Sequence, residues 1–86
     1  MTLVLGPDVV ATDVVDGLVL LDQRSGRYWQ LNRAGASTLR LLLDGNSPDE
    51  AATMLTRNRP DVTERARADV RTLITQLLDA RLVARS

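Results

Sequence analysis

Between Gly26 and Gly45 the chain passes from an aromatic strand directly into a capped helix, and this junction constrains its fold more than any other feature. Arg27 to Leu31 (Arg-Tyr-Trp-Gln-Leu) reads as a strand. From Asn32 the apolar period changes, and Ala36, Leu39, Leu42 and Leu43 recur at helical spacing. Asn32 carries a side chain suited to accept from the first free amides of that helix, and Gly45, after Asp44, stands where a helix stops. Tyr28 and Trp29, adjacent on the strand, are the only aromatic residues in the sequence.

Eighty-six residues are too few for two self-sufficient cores, so one domain over residues 1–86 is expected. A domain this small buries about 60 to 65% of the surface its unfolded chain exposes and is marginally stable alone. Cys and His are both absent, which removes thiolate chemistry, zinc sites of the usual ligands and imidazole general-base catalysis together. Ser25, Ser37 and Ser47 have no histidine or lysine to activate them, and most carboxylates fall at expected caps or turns. Gly-rich phosphate loops are missing as well. The expectation is a protein without catalytic residues, cofactor or metal.

Without cysteine there is no disulfide, and no basic start precedes an apolar run as in a secretory signal, so a cytoplasmic location is expected. No apolar stretch approaches the roughly 20 residues that span a bilayer, so no membrane partner is expected. The 11 arginines balance 11 acidic residues for a formal net charge of zero, with no lysine. A duplex-binding domain of this size carries a basic footprint, so nucleic acid is not an expected partner either.

Val9 to Val15 and Gly17 to Asp22 are short runs of branched residues, with Asp16-Gly17 as the predicted hairpin turn. A second turn falls on Gln23-Arg24-Ser25-Gly26, and Arg27 to Leu31 completes a three-stranded antiparallel meander. After the first helix, Ser47-Pro48-Asp49-Glu50 supplies a capping box for a second helix that runs to about Arg59 and buries Ala51, Ala52, Met54 and Leu55. Asp61-Val62-Thr63-Glu64 repeats that pattern ahead of a third helix. Its apolar face is Val62, Ala66, Val70, Leu73, Ile74, Leu77 and Leu78, with Leu73 nearer the buried centre and the margin at Ile74 and Leu78 flanked by Arg67 and Arg71. Leu82-Val83 is too short to assign, and the termini read as loose.

The strand Arg27 to Leu31 comes last in the meander, and it lacks the proline, lysine or internal glycine that usually guards an outer edge. It is either an edge of no functional interest or a receptor for an extended peptide that adds as a further strand. Tyr28 and Trp29 point to opposite faces, one toward the helices and one toward solvent or a partner. Leu18 to Leu21 is apolar on both faces, which leaves either scattered surface leucines or an apolar patch for a second protein.

Leu31-Asn32, then Ala34 to Leu43 and Asp44-Gly45, with three strands before and two helices after, resembles the PqqD-like pattern over about residues 7 to 84. The tail Leu77-Leu78-Asp79-Ala80-Arg81-Leu82-Val83 is similar to that family's closing helix. The resemblance implies an α+β, winged-helix-like domain, a three-stranded antiparallel sheet followed by three helices, that binds the leader segment of a precursor peptide and delivers it to modifying enzymes. Carried onto this sequence, it implies main-chain contacts from Arg27, Tyr28, Trp29, Gln30 and Leu31. The third helix is expected to add Arg67, Val70, Arg71, Ile74 and Leu78. Within the family the chain resembles the free-standing leader-binding partner of lasso peptide maturation, where a separate leader peptidase acts. A chaperone of pyrroloquinoline quinone biosynthesis is the near alternative, and a winged-helix DNA-binding protein the remoter one.

Overall fold

The computed structural model describes residues 2–86. Its first strand, β1 (Leu3–Leu5), pairs antiparallel with its last, β5 (Val83–Arg85), in the register Leu3 to Arg85 and Leu5 to Val83. Between them, β2 (Val9–Val14), β3 (Gly17–Asp22) and β4 (Tyr28–Asn32) form an antiparallel sheet in the order β2-β3-β4. Three α-helices follow: α1 (Arg33–Leu43), α2 (Pro48–Leu55) and α3 (Thr63–Asp79), with a single 3-10 turn at Pro60–Val62 before α3. The expected α+β order of a three-stranded meander and three helices is present. The ribbon that pairs residues 3–5 with 83–85 is additional, and it buries Leu3 and Val83, so these segments are not loose.

The β2–β3 turn falls one residue earlier than Asp16-Gly17. Val14 pairs with Gly17, which leaves Val15 and Asp16 as the loop. Gly17 is already strand and serves close approach: a Cβ there would lie 1.9 Å from the Leu31 carbonyl oxygen. The β3–β4 turn closes as expected over Gln23 to Gly26, where Gly26 takes φ +75° and its amide donates to the Asp22 carbonyl at 2.8 Å.

Helix α1 follows β4 with no loop because Asn32 serves both elements. It is the last residue of β4, and its Oδ1 accepts from the Gly35 amide at 2.8 Å. At the far end Gly45, at φ +103°, lets its own amide donate to the Leu42 carbonyl and that of Asn46 to the Leu41 carbonyl, each at 3.1 Å, the Schellman closure.

In α2 the capping box forms in full: Ser47 Oγ accepts from the Glu50 amide at 3.0 Å, and Glu50 Oε1 accepts from the Ser47 amide at 2.7 Å. Hydrogen bonding from Ser47 to the carboxyl, from its amide first and its hydroxyl second, holds Glu50 below its ordinary value.

Two expectations about helix ends are corrected. Helix α2 stops at Leu55, short of Arg59. Its cap Thr56 donates its hydroxyl to the Ala52 carbonyl at 2.7 Å and lies 2.7 Å from the Thr63 hydroxyl, pinning the end of α2 to the start of α3. Nor does Asp61 cap α3, which has Val62 at its N-cap and no side-chain cap bond; Asp61 pairs with Arg59 instead. In α2, Ala51 and Ala52 are buried as expected, while Met54 and Leu55 are exposed.

The core lies between the inner face of the sheet and the helices. Leu18, Leu20 and Leu31 from the strands meet Ala36, Leu39 and Leu42 of α1, Ala51 and Ala52 of α2, and Val70, Ile74 and Leu77 of α3, with Leu3, Leu82 and Val83 closing one end. Outside, α1 is braced against the β2–β3 hairpin by Arg33 to Asp16 at 2.9 Å and by an Arg40 to Asp13 pair. Both are exposed and contribute at most about 1 kcal/mol each.

Candidate functional site

Among the described residues, strand β4 has a neighbour on one side only. Which of its amides face the open side follows from the turn. The Asp22 amide donates to the Arg27 carbonyl at 2.9 Å, so Arg27 belongs to a hydrogen-bonded pair, and pairs of this kind alternate along an antiparallel ladder. With Trp29 opposite Leu20 and Leu31 opposite Leu18, the main-chain groups of Arg27, Trp29 and Leu31 face β3. Those of Tyr28, Gln30 and Asn32 face outward, spaced as an added strand needs them.

The side chains alternate the other way. Leu31 is buried in the core, Trp29 is half-buried against it, and Tyr28 and Gln30 lie exposed on the outer sheet face. Tyr28 is 70% exposed, so the two aromatics divide as expected between helix side and solvent. In register with Tyr28 on the outer face come Leu21 and then Val10, both exposed. The two-sided apolar strand therefore does leave an uncovered apolar row across the sheet.

Edge strand β2 is open as well, but it packs chiefly on β3 and is exposed along nearly all its length, leaving an added strand's side chains nowhere to go. Beside β4 the surroundings differ. Strand β4 is held by β3 and α1, whereas α3 packs mainly on α2, and a recess lies near each end of β4 on its α3 side, the two together outlining a groove. At the start of β4 the groove holds a small hollow of about 20 Å³, room for about one water, among Asp22, Arg27, Tyr28, Trp29, Ala80 and Leu82. Past the end of β4, where α1 begins, lies a separate cleft of about 320 Å³ between Ala34, Gly35 and Thr38 of α1, Leu55 of α2, and Ala66, Asp69, Val70 and Leu73 of α3. Since β4 starts beside the C-terminal end of α3 and ends beside its N-terminal half, strand and helix run antiparallel.

The expected α3 contributors do not all face this groove. Val70 lines the cleft as well as the core. Arg67 and Arg71 turn toward α2, where both reach Asp49, at 3.6 and 3.2 Å, and Arg67 also pairs with Glu64. Ile74 is 4% exposed and belongs to the core, while Leu73 is the half-buried residue on the cleft, so the burial expected of these two is reversed. At about 100° per residue Leu78 shares the margin of Arg67 and Arg71. The groove margin is the opposite one, Ala66, Asp69, Leu73 and Ala80. The apolar arc on α3 has two margins, and nothing in the sequence says which of them meets β4.

Charge in the groove is sparse. The Asp22 carboxyl, which accepts from Ser25 Oγ and the Arg24 amide at 3.0 Å each, is held below its ordinary value by those bonds, the serine's first. Among the described residues no cluster of acidic or other ligating side chains could hold a metal, and no helix is long and apolar enough to cross a membrane.

An open sheet edge with outward amides, facing a helix across a groove with an apolar cleft, has the geometry of a surface for strand addition. The chain belongs to the PqqD family: the family model described as coenzyme PQQ synthesis protein D matches residues 17–83. Among solved structures it is similar to lasso peptide synthetase B1 complexed with the leader peptide, with 35% identity, a TM-score of 0.90, and coverage of 99% of this chain and 100% of that one. It shares its fold with TbiB1 in complex with the TbiA(beta) leader peptide, at 23% identity and a TM-score of 0.84 over 100% of this chain and 98% of that one. No curated protein matches the chain.

Proposed function

We propose that the chain, acting as one domain over residues 1–86, is a non-catalytic adaptor of lasso peptide biosynthesis in the cytoplasm. It holds the leader segment of a precursor peptide as a strand added to β4 and delivers it to a separate leader peptidase or other modifying enzyme. The observation that carries this reading is the 35% identity, over 99% of the chain, to a synthetase B1 solved with its leader peptide. The open edge and its groove supply the physical means.

In this reading the outward groups of Tyr28 and Gln30 pair with the leader main chain, while Arg27, Trp29 and Leu31 form the groove wall nearest the sheet. On α3 the contact is made by Val70 and Leu73. Ile74, Leu78, Arg67 and Arg71 act indirectly, by fixing the helix against α2 and the core. Once the leader is held, the rest of the precursor is confined near whatever enzyme the adaptor also touches, and the gain comes from effective concentration. The uncovered row Val10, Leu21 and Tyr28 is the surface we assign to that enzyme.

The test is reconstitution with precursor and peptidase. Cleavage is expected to be slow with peptidase alone and faster with this chain, provided the leader is intact. Equal rates with and without the chain, or cleavage by the chain unaided, would refute the adaptor role. The family description favours a second reading, in which the same groove serves coenzyme PQQ synthesis. Stimulation of a radical enzyme of that pathway, without stimulation of a lasso leader peptidase, would select it.

A further inference from the structure

The cleft at the end of β4 is lined by apolar and small side chains with one exception, the carboxylate of Asp69. Most acidic residues in the protein are already engaged. Asp8, Asp13, Asp16, Asp49, Asp61 and Glu64 form ion pairs, and Asp22 and Glu50 close a turn and a helix cap. Asp69 has neither kind of partner among the described residues, yet it borders the largest recess beside the open edge. At the other end of the groove Arg27 lines the small hollow and likewise forms no ion pair among the described residues.

We infer that Asp69 is a specificity residue of the peptide-binding groove. It selects a peptide whose apolar side chain enters the cleft beside a lysine or arginine that pairs with its carboxylate. This rests on the strand-addition reading above and adds to it the charge pattern of the ligand. Asp69 is itself exposed, but a carboxylate at the rim of an apolar recess still attracts a cation placed beside it and repels an anion, which biases the choice of ligand.

The direction of the peptide follows. Antiparallel addition continues the alternation of the sheet and pairs slightly better than parallel addition. An antiparallel peptide begins at the Asn32 end of β4, beside Asp69, and finishes at the Arg27 end. From Asp69 to Ala80 is about 16 Å along the helix, which an extended chain covers in about five residues. The preferred ligand therefore carries its cation toward its N-terminus and an acidic residue about four to six positions later, near Arg27.

A purely structural role for Asp69 makes a different prediction. Helix α1 has no acidic residue in its own first turn, and Asp69 borders the cleft opposite Ala34 and Gly35, where a negative charge complements the helix dipole. In that role its replacement changes stability without changing which peptides bind.

The experiment is selection from a displayed library of random dodecapeptides on the full chain and on Asp69→Asn and Asp69→Arg. Thermal melts serve as the folding control. The expected result is a lysine or arginine N-terminal to the apolar anchor on the parent chain, loss of that preference on Asp69→Asn, and glutamate or aspartate at the same position on Asp69→Arg. With a synthetic winner, exchanging its cation for glutamate is expected to weaken binding to the parent about fivefold or more and to be rescued by Asp69→Arg. If all three proteins enrich the same peptides, the inference is overturned and strand addition stands. If none enriches any peptide while all are folded, both fall.

Discussion

The Leu31 carbonyl oxygen occupies the space that a Cβ on Gly17 would need: the two would be 1.9 Å apart. Strands β3 and β4 can meet this closely, just where β4 hands over to α1, only because residue 17 has no side chain. The same contact holds the end of the candidate edge, so its stability and its availability to a ligand are linked.

Gly17→Ala must push Leu31 or the hairpin aside, since the atom it meets is backbone. A loss of about 1–3 kcal/mol is expected, the usual range for overpacking. In a domain of this size that lowers the melting temperature by about 4–8 °C per kcal/mol. A melt unchanged from the parent would show that the hairpin accommodates the methyl and that the close approach is not required.

Proline at adjacent positions of β4 separates binding from folding. The Gln30 amide faces the open side, so Gln30→Pro leaves the β3 ladder intact and is expected to weaken peptide binding with little change in melting. Trp29→Pro deletes the amide that pairs with Leu20 and also removes a half-buried ring, so it is expected to lower stability severely. Calorimetric titration and thermal melts on both variants check this. Equal loss of stability in the two would contradict the alternation assigned to this strand.

The junction at Asn32, the glycine stop at Gly45 and the box at Ser47 and Glu50 were legible in the sequence because each is a local arrangement, complete within a few residues and bound to particular side-chain chemistry. The β1–β5 ribbon was not. Three-residue strands 80 positions apart have no local signature, and what fixes them is the burial of Leu3 and Val83 at the end of the core. Asp61 read as a cap by the same local logic that succeeded at Ser47. Pro60 and the Thr56–Thr63 hydroxyl contact set a different start for α3. The edge strand itself was legible, but the choice between Leu73 and Ile74 depends on how α3 rotates against α2. That rotation is fixed by tertiary contacts, above all the burial of Val70, Ile74 and Leu77 in the core.

The Glu50 cap carries a pH dependence of definite sign. Its carboxyl accepts from the Ser47 amide and is held below its ordinary value of 4.5, so the folded state binds that proton less readily than the unfolded chain. The stabilisation is present in full above the unfolded value and is lost as pH falls through the lower folded one. Glu50→Gln is therefore expected to flatten the acid side of the stability profile measured by denaturant unfolding at a series of pH values. Ser47→Ala, which removes the other half of the box, is expected to cost about 1 kcal/mol at neutral pH. A Glu50→Gln profile that falls with acid as steeply as the parent's would assign the acid sensitivity to other carboxylates.

The two neighbours on α3 give the sharpest contrast. Ile74 is 4% exposed and in contact with the core, so Ile74→Asp buries an unpaired charge and is expected to unfold the domain at ambient temperature. Leu73 is half-buried and lines the cleft, so Leu73→Asp is expected to leave a folded, less stable protein. In that protein a second carboxylate beside Asp69 makes the cleft polar, and affinity for an apolar anchor is expected to fall tenfold or more, about 1.4 kcal/mol. Circular dichroism decides folding and titration with a leader peptide decides binding. A folded Ile74→Asp that fails to bind, together with an unaffected Leu73→Asp, would return the groove to the Ile74 and Leu78 margin of the helix.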